Sequence, residues 1–472
     1  MTNKALRLHP DRLFSSDPEQ RRISRALFER VEALPIISPH GHCEPSWFAD
    51  NTPFPDPAEL LIVPDHYVYR MLYSQGVGLE RLGVWHRDGT RPDVDPRDIW
   101  QVFADNWHLF AGTPTRIWLT HVFVEVCGLD ETLCSENAAA FYDHIGAQLK
   151  TPAFAPRALY DQFNIEVLST TDFATGSLAH HEALAQDPWA ARIVPTFRPD
   201  DVTDPDNADF AANIARLGEI TGEDTTTYQG YLKALRSRRA AFRALGATAT
   251  DHGVETARTI DLSAPAAAQL YGAVLGGTAT AQEHDDFRAH MLTEMARMSL
   301  DDGLVMQLHA GSVRNHNRAL FETYGPNVGA DIPRQTDYVN ALRPLLDVAG
   351  NEAGFRLILF TLDETSYSRE LAPLAGHYPC LTLGPPWWFH DSPEGMMRFR
   401  RTTTETAGFY NTAGFNDDTR AFLSLGARHD LARRIDCRYL AELVTEHRMT
   451  IDEAHGLATD LAYGLAKTAY RL

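Results

Sequence analysis

The sequence predicts a closed (β/α)8 barrel, or TIM barrel, in distorted form. Three observations support this fold class. Short apolar runs rich in β-branched residues recur along the chain, helical patterns separate most of them, and most runs end in polar side chains. Strands that alternate with helices form a parallel sheet, and a closed parallel barrel gathers its reactive side chains at the carboxyl ends of the strands.

Eight runs are candidates for the barrel strands. They are 35–42 (PIISPHGH), 165–172 (IEVLSTTD), 192–200 (RIVPTFRPD), 247–253 (ATATDHG), 304–311 (LVMQLHAG), 355–363 (FRLILFTLD), 380–386 (CLTLGPP) and 414–418 (GFNDD). The last run has the fewest apolar residues and is the weakest as a strand. Helices are expected between the runs, for example over 285–300 and 337–350, where apolar residues recur at helical spacing.

Two regions do not fit eight equal units and divide the chain. About 120 residues with Trp, His and helical periodicity separate the first two runs, and helical patterns continue beyond the eighth. We therefore predict an N-terminal helical segment (1–34), a barrel (35–43 and 160–430), a helical insertion in the first strand–helix loop (44–159) and C-terminal helices packed on the barrel (431–472). Thr450 and Glu453 have the spacing of a capping box, so a helix should begin there.

Composition limits the partners and the compartment. The 472 residues carry a formal net charge of −20, which argues against nucleic acid and anionic membranes, and an anionic substrate would need a local arginine cluster. The uncharged stretch 262–282 is too polar to span a bilayer, and we interpret it as a buried or loosely structured connection. The N-terminus lacks the apolar core of a signal peptide. Five irregularly spaced cysteines are typical of reduced thiols, so a cytoplasmic location is expected.

A metal site is the first candidate for chemistry. His40 and His42 are two residues apart at the end of the first run, and side chains two apart on a strand share a face. Asp418 ends the eighth run, which neighbours the first in a closed barrel. A divalent ion such as zinc takes imidazole nitrogen and carboxylate oxygen. The alternatives remain a polar strand end for the histidines and a helix N-terminal aspartate.

An ordered set of motifs carries a resemblance over nearly the whole chain. PHGH (39–42), DHY (65–67), TTD (170–172), FRPD (197–200), DHG (251–253), MQLHAGSVRN (306–315), WWF (387–389) and DTRAFLS (418–424) occur in this order. Together they resemble the uronate isomerases of the amidohydrolase superfamily. The resemblance implies a metal-bearing barrel of amidohydrolase type that interconverts D-glucuronate with D-fructuronate and D-galacturonate with D-tagaturonate. It also implies one divalent ion held by His40, His42 and Asp418, and a catalytic set of Asp418, Tyr67 with the preceding His66, and Arg420.

The chemistry of such an isomerase assigns roles to these side chains. Aldose–ketose isomerisation opens the sugar ring and then moves a proton from C2 to C1 through an enediol, which requires acid–base groups. Asp418 is the candidate for ring opening. Tyr67 is the candidate base, and we predict that the Arg420 guanidinium lies beside it and lowers its pKa. Alternatively, Tyr67 is a loop aromatic that packs on the barrel mouth.

The substrate is expected to be a small sugar acid whose carboxylate needs arginine. Arg198 and Arg314 lie at the predicted rim, where the planar guanidinium suits a carboxylate, although each could be a surface ion pair. Trp387 and Trp388 could form a pocket wall, with only one of them touching substrate. We assign Asp251, His252 and His309 to substrate hydroxyls, with a structural network for the first two and metal ligation for His309 as open alternatives.

Two other functions compete with isomerisation. A hydrolase or decarboxylase of the same superfamily would use a single metal-bound hydroxide. Its two-metal relatives carry a lysine at the end of the fourth strand, where this chain has TDHG, so a binuclear centre is not expected. A sugar-acid binding protein would leave His40, His42 and Asp418 unexplained. The sequence leaves monomer and homo-oligomer open.

Overall fold

The computed structural model describes residues 6–189 and 191–472, so the first five residues of the predicted 1–34 segment lie outside the described part. The strands are, in chain order, β1 (Ile36–Ser38), β2 (Ile165–Phe173), β3 (Arg192–Arg198), β4 (Ala249–Gly253), β5 (Val305–Ala310), β6 (Ser312–Val313), β7 (Ile332–Pro333), β8 (Leu357–Thr361) and β9 (Leu381–Leu383). Seven of the eight predicted runs contain a strand of the main sheet. The short β6 and β7 form a separate antiparallel pair.

The main sheet is parallel and curled, with the order β1-β2-β3-β4-β5-β8-β9. β4 and β5 pair in register from Ala249 opposite Val305 to Gly253 opposite His309, which brings their carboxyl ends to one rim. The interior strands β5 and β8 are buried along their whole length, and most of their residues are apolar, with Gln307 and His309 on β5 among the exceptions. A distorted barrel of the predicted class results, with helices around the sheet.

The eighth run closes this barrel irregularly. Ala413 donates its backbone N–H to Leu383 on β9, at 2.8 Å, and on the other side His42 donates to the carbonyl of Thr419, at 2.9 Å. Between these contacts the backbone is not a regular strand. Gly414 and Asp418 have positive φ values of 74° and 47°, which an extended strand does not contain.

The helices follow the predicted pattern between the strands. The α-helices are Pro18–Val31, Pro45–Asp50, Pro57–Leu61, His66–Ser74, Pro96–Asp105, Pro114–His121, Ala138–Leu149, Pro156–Gln162, Ala179–Ala185, Asp200–Thr203, Phe210–Thr221, Tyr228–Ala244, Ala264–Leu275, Ala281–Asp302, Arg318–Tyr324, Tyr338–Ala341, Arg343–Ala349, Ala372–Ala375, Pro393–Ala407, Leu425–Thr445, Ile451–Thr459 and Leu465–Tyr470. Shorter 3-10 or π-helical turns occupy Leu79–Leu82, Trp107–Phe110, Val122–Val126, Ser135–Asn137, Pro152–Phe154, Tyr367–Leu371, Phe422–Ser424 and Asp460–Gly464. The uncharged stretch 262–282 is not loosely structured, because most of it forms the helix Ala264–Leu275.

The segment between β1 and β2 has its own aromatic core. Trp100, Phe103, Phe110 and Phe123 are all buried, and the rings of Trp100 and Phe103 lie 5.7 Å apart. Helices and short turns account for the regular structure of this segment, as expected for the predicted insertion. The division of the chain into domains stays a prediction, and its boundary at 430/431 falls inside the continuous helix Leu425–Thr445.

The two ends of the chain pack together. The helix Pro18–Val31 lies against Leu425–Thr445, and Arg434 stacks its guanidinium 3.9 Å from the Phe28 ring centre. The predicted capping box is confirmed, because Thr450 and Glu453 exchange their side-chain and backbone contacts at the start of Ile451–Thr459. Within residues 6–189 and 191–472, every helix is too short or too polar to serve as a membrane span.

Candidate active site

A cavity of about 230 Å³ opens at the carboxyl ends of the barrel strands. Its walls are formed by His40, His42, His66, Thr171, Phe173, Arg198, Asp251, His309, Arg314, Asn327, Asp331, Trp387, Trp388, Asp418 and Arg420. The structure therefore brings together eleven of the thirteen residues that the sequence singled out. The two others, Tyr67 and His252, are placed elsewhere.

His40, His42 and Asp418 converge as one group. β1 ends at Ser38, so both histidines lie in the loop that follows the strand, not on it. The Nε2 atoms of His42 and His40 nevertheless lie 3.0 Å and 3.4 Å from Oδ1 of Asp418. All three side chains offer a ligand atom within 4.8 Å of the others.

The electrostatics of this group suit a divalent cation. Asp418 Oδ1 is shielded from solvent and lies next to the Nε2 atoms of both imidazoles. Burial would raise the pKa of Asp418, but the imidazoles of His42 and His40 hold it well below its usual range. Burial and the Arg420 guanidinium lower the pKa of His42 to about 4, which keeps its imidazole neutral. Neutral imidazole and ionised carboxylate are the forms that bind zinc-like ions.

His309 and Asp251 form a second pair beside the first. His309 Nδ1 contacts Asp251 Oδ1 at 2.7 Å, and its Nε2 is buried without a partner in the described structure. Because the ionised Asp251 can only accept, Nδ1 carries the proton and Nε2 keeps a lone pair. His40, Asp251 and His309 also satisfy the spacing of a metal group. Both roles predicted for His309, substrate contact and metal ligation, are compatible with this lone pair.

Two arginines meet over Gly253 at the end of β4. A Cβ atom on Gly253 would lie 2.5 Å from Arg198 Nη2 and 2.9 Å from Arg314 Nη2, so any larger residue would displace both guanidinium groups. Arg198 is held by Asp200 at 2.8 Å and by Asp251 at 3.2 Å. Nε of Arg314 is buried without an acceptor within the described part of the chain. The paired guanidinium groups form the positively charged side of the cavity.

His252 does not line this cavity, and its assignment to substrate stays a prediction. Neighbouring residues of a strand point to opposite faces, so when Asp251 faces the cavity His252 must face away. His252 contacts Thr250 Oγ1 at 3.0 Å and borders a separate cavity of about 520 Å³. Both Trp387 and Trp388 line the active cavity, although the sequence led us to expect that only one touches substrate.

Tyr67 lies behind the cavity wall with different neighbours from those predicted. His66 and Tyr67 begin the helix His66–Ser74, and successive helical residues point about 100° apart, so only His66 faces the cavity. The Tyr67 hydroxyl donates to Asp391 Oδ1 at 2.8 Å. The guanidinium that faces the Tyr67 ring belongs to Arg428 and lies 5.7 Å from the ring centre.

The prediction that Arg420 lowers the pKa of Tyr67 is therefore wrong. Burial and the Asp391 carboxylate raise the pKa of Tyr67 well above its ordinary value. Arg420 lies in the cavity instead. Burial lowers the pKa values of His42 and His66, and the charge of Arg420 lowers them further.

Several side chains at the site were missed from the sequence. Thr171 and Phe173 alternate on the end of β2, and the strand period could have found them beside the TTD motif. Asn327 and Asp331 come from the irregular stretch between the helix Arg318–Tyr324 and β7, where no pattern marks them. Asp391 and Arg428 were also missed. Asp391 lies four residues after Trp387 and Arg428 lies ten residues after Asp418, and these positions are their only link to the motifs.

Comparison with known proteins finds similarity to uronate and glucuronate isomerases. Residues 18–470 match the protein-family model described as glucuronate isomerase. A uronate isomerase of Rhizorhabdus wittichii is 61% identical over 472 residues, which is 100% of each chain. The crystal structure of glucuronate isomerase from Caulobacter crescentus superimposes with a TM-score of 0.98 at 55% identity, covering 99% of this chain and 98% of that one. Uronate isomerase from Thermotoga maritima gives 0.91 at 28% identity, with 98% and 99% covered.

Proposed function

Because this chain belongs to the glucuronate isomerase family, we propose that its cavity binds a hexuronate and converts it between the aldose and ketose forms. Uronate isomerisation is the activity of the chain. D-glucuronate with D-fructuronate, and D-galacturonate with D-tagaturonate, are the substrate pairs we propose. The observation that carries this assignment is the placement of Arg198 and Arg314 in the same small cavity as His40, His42 and Asp418.

The substrate carboxylate is bound by Arg198 and Arg314. Guanidinium groups bind carboxylates with paired, charge-assisted hydrogen bonds, and two of them here share one side of a cavity. Asp200 and Asp251 hold Arg198 in place, so its fork does not need to be ordered when the substrate arrives. Trp387 and Trp388 supply an apolar wall for the sugar face.

His40, His42 and Asp418 would hold one divalent cation, and we propose Zn²⁺ from the nitrogen and oxygen donors. When bound, such an ion supplies Lewis-acid stabilisation of negative charge on substrate oxygen. The protein supplies the neutral imidazole of His42 and the ionised carboxylate of Asp418 that this role requires. We also propose a cytoplasmic location, which the five free thiols favour.

Ring opening is assigned to Asp418. Its carboxylate accepts the proton of the anomeric hydroxyl while the bond between C1 and the ring oxygen breaks. The two oxygens are attached to the same carbon, so the same carboxyl group can return that proton to the ring oxygen. The open-chain aldose results, and Asp418 is ionised again.

Transfer of the carbon-bound proton is assigned to Tyr67. Once the Tyr67 phenol has given up its own proton, its oxygen takes the proton from C2, the electron pair forms the C1–C2 double bond, and the negative charge moves to O1. A proton then passes from O2 to O1, and Tyr67 returns a proton to C1 to give the ketose. Trp388 lines the cavity and packs edge-on to Tyr67 at 4.4 Å between ring centres, so a shift of this indole would expose the phenol. His66 and Arg420 face the reacting end.

Incubation with D-glucuronate in deuterated water, followed by NMR, tests this proposal. We expect the ketose product with solvent deuterium at C1, because a protein-bound proton exchanges with water before it returns. Product without solvent label would arise from a hydride shift or from shielded return of the C2 proton by Tyr67, and the loss or retention of turnover in Tyr67→Phe separates the two. Failure to convert either uronate would point to the hydrolase alternative.

A further inference from the structure

The phenol of Tyr67 belongs to a buried group of three side chains outside the cavity. Tyr67 donates to Asp391 Oδ1 at 2.8 Å, and Arg428 Nη1 donates to Asp391 Oδ2 at 3.1 Å. Each carboxylate oxygen therefore has its own donor. Asp391 and Arg428 are both buried, and the guanidinium stacks 3.7 Å from the ring centre of Trp118.

Arg428 also connects this group to the proposed metal aspartate. The same Nη1 atom donates to the backbone carbonyl of Asp417, at 3.1 Å, directly before Asp418. Its Nε donates to Ser424 Oγ at 3.4 Å, at the start of the helix Leu425–Thr445. One rigid guanidinium thus fixes the distance between the Asp391 carboxylate and the backbone that carries Asp418.

A phenol with a raised pKa is a weak base, which leaves a problem for the isomerisation. The titratable and charged groups around Asp391 are Tyr67 on one helix, Arg428 on another, and Asp418 on the closing segment. Burial raises the pKa of Asp391 to about 6, although Arg428 lowers it. At neutral pH the side chain is therefore a carboxylate, and a stronger base than an exposed aspartate.

We propose that Asp391, held by Arg428, is a positioning residue that orients the Tyr67 phenol and receives its proton. As Tyr67 takes the C2 proton, its own O–H proton passes to Asp391 Oδ1, and the negative charge moves from Asp391 to the enediolate. On the return, Tyr67 protonates C1 and recovers a proton from Asp391. Charge and protons balance without an external base. This inference rests on the proposed function, since it requires Tyr67 to be the base.

The chain offers a matched control pair. Tyr410 donates to Asp460 Oδ2 at 2.8 Å, the same contact as Tyr67 to Asp391, but Tyr410 is 65% exposed and neither residue lines the cavity. Asp460→Asn removes a tyrosine-bound carboxylate without touching the site. It should leave turnover unchanged.

The test measures glucuronate turnover by the metal-loaded Asp391→Asn, Asp391→Glu and Asp460→Asn proteins. We expect Asp391→Asn to lower kcat about 100-fold, which is typical for loss of acid–base assistance, with metal content unchanged. KM should stay within about twofold, because Asp391 does not contact the substrate. Asp391→Glu should recover part of the rate. An Asp391→Asn protein with kcat near that of the parent would overturn the proposal.

Replacing Tyr67 with a fluorinated tyrosine of lower phenol pKa separates proton transfer from packing. A more acidic phenol depends less on a proton acceptor. Introducing it into the Asp391→Asn protein should therefore raise kcat of that protein at least about tenfold. Absence of recovery would mean that Asp391 only supports the structure. Should Asp391→Asn fail to fold, an isotope experiment on the parent protein still tests the proposal. The kinetic isotope effect of C2-deuterated glucuronate should not shrink in deuterated water, because both protons move together, and a smaller effect would overturn the coupling.

Failure of this inference is distinguishable from failure of the proposed function. If Tyr67→Phe abolishes turnover while Asp391→Asn does not, the isomerase mechanism stands and only the role of Asp391 is wrong. If Tyr67→Phe retains turnover, the assignment of the base fails first, and with it the role of Asp391.

Discussion

His42 Nε2 lies 3.0 Å from Asp418 Oδ1, so a loop near the start of the chain and the segment that closes the barrel meet in one contact. The two side chains have complementary protonation states, since the pKa of His42 is lowered and that of Asp418 is also lowered. A neutral imidazole and an ionised carboxylate at this distance, with His40 beside them, form the donor set on which the metal proposal depends.

Removing the Asp418 carboxylate should remove the metal. We expect Asp418→Asn to bind much less than one zinc ion per chain and to lose at least about 100-fold in kcat, because the same carboxylate is assigned to ring opening. Elemental analysis of the purified protein and a turnover assay measure the two effects. The control is Asp301→Asn, whose carboxylate is 67% exposed. Full metal content in Asp418→Asn would contradict the assignment of this ligand.

Replacing Tyr67 with phenylalanine separates proton transfer from metal binding. The variant keeps the ring and loses only the hydroxyl, so kcat should fall by about 100-fold or more while the metal content stays near one per chain. Tyr410→Phe, on the exposed surface, is the matched control and should behave like the parent. Loss of metal together with activity in Tyr67→Phe would show that the tyrosine has been misplaced.

Adding one methyl group at Gly253 should weaken substrate binding. A Cβ there would lie 2.5 Å from Arg198 Nη2 and 2.9 Å from Arg314 Nη2, so both guanidinium groups must move. We expect Gly253→Ala to raise KM for glucuronate about tenfold, since each lost charge-assisted hydrogen bond costs about 1.5–3 kcal/mol and some contacts will re-form.

Gly272→Ala is the control for Gly253→Ala. Gly272 lies inside the helix Ala264–Leu275, and its Cβ would meet no atom within 4 Å. Alanine there should stabilise the protein by about 0.5–1 kcal/mol and leave KM unchanged, as thermal unfolding and steady-state kinetics can measure. Unchanged KM in Gly253→Ala would show that the arginine pair does not bind the carboxylate.

Asp172 should make stability depend on pH. Burial raises its pKa to about 6, although Thr170 donates to it. The folded protein therefore binds more protons than the unfolded chain between about pH 4 and pH 6, and stability falls as pH rises through this range. Asp172→Asn keeps an acceptor for Thr170 without the charge. We expect its free energy of unfolding, relative to the parent, to increase by about 1–3 kcal/mol from pH 4 to pH 7.

Denaturant unfolding at a series of pH values measures this difference. Groups that do not interact with Asp172 cancel in the comparison, so the change reports Asp172 together with its neighbours His181 and Glu44. A gap between the two proteins that stays constant across this range would contradict the prediction.

How far the sequence determined the site can be judged from single residues. Strand order in a closed barrel was enough to predict that His40, His42 and Asp418 meet. It did not predict that the eighth segment is irregular, because the left-handed backbone of Asp418 comes from tertiary closure and not from local propensity. Strand alternation, had it been applied to Asp251 and His252, would have shown that only one of them can face the cavity.

The neighbours of Tyr67 could not be obtained from spacing. Arg420 follows Asp418 by two residues, which suggested proximity to the base, whereas Arg428 reaches the phenol from a helix that begins later. The orientation of a side chain depends on where its helix starts and on how that helix packs. Neither is encoded in a short motif, so the partner of the base required the structure.

The irregular closure between β9 and β1 has a consequence for the whole molecule. His40 and His42 lie on one side of this gap and Asp418 on the other, and few backbone bonds cross it. A cation bound by all three would join the two sides of the barrel at this irregular closure. Loading the metal should then slow the exchange of amide hydrogens near residues 411–419. Assembly of the reactive centre and closure of the barrel would both depend on the same bound cation.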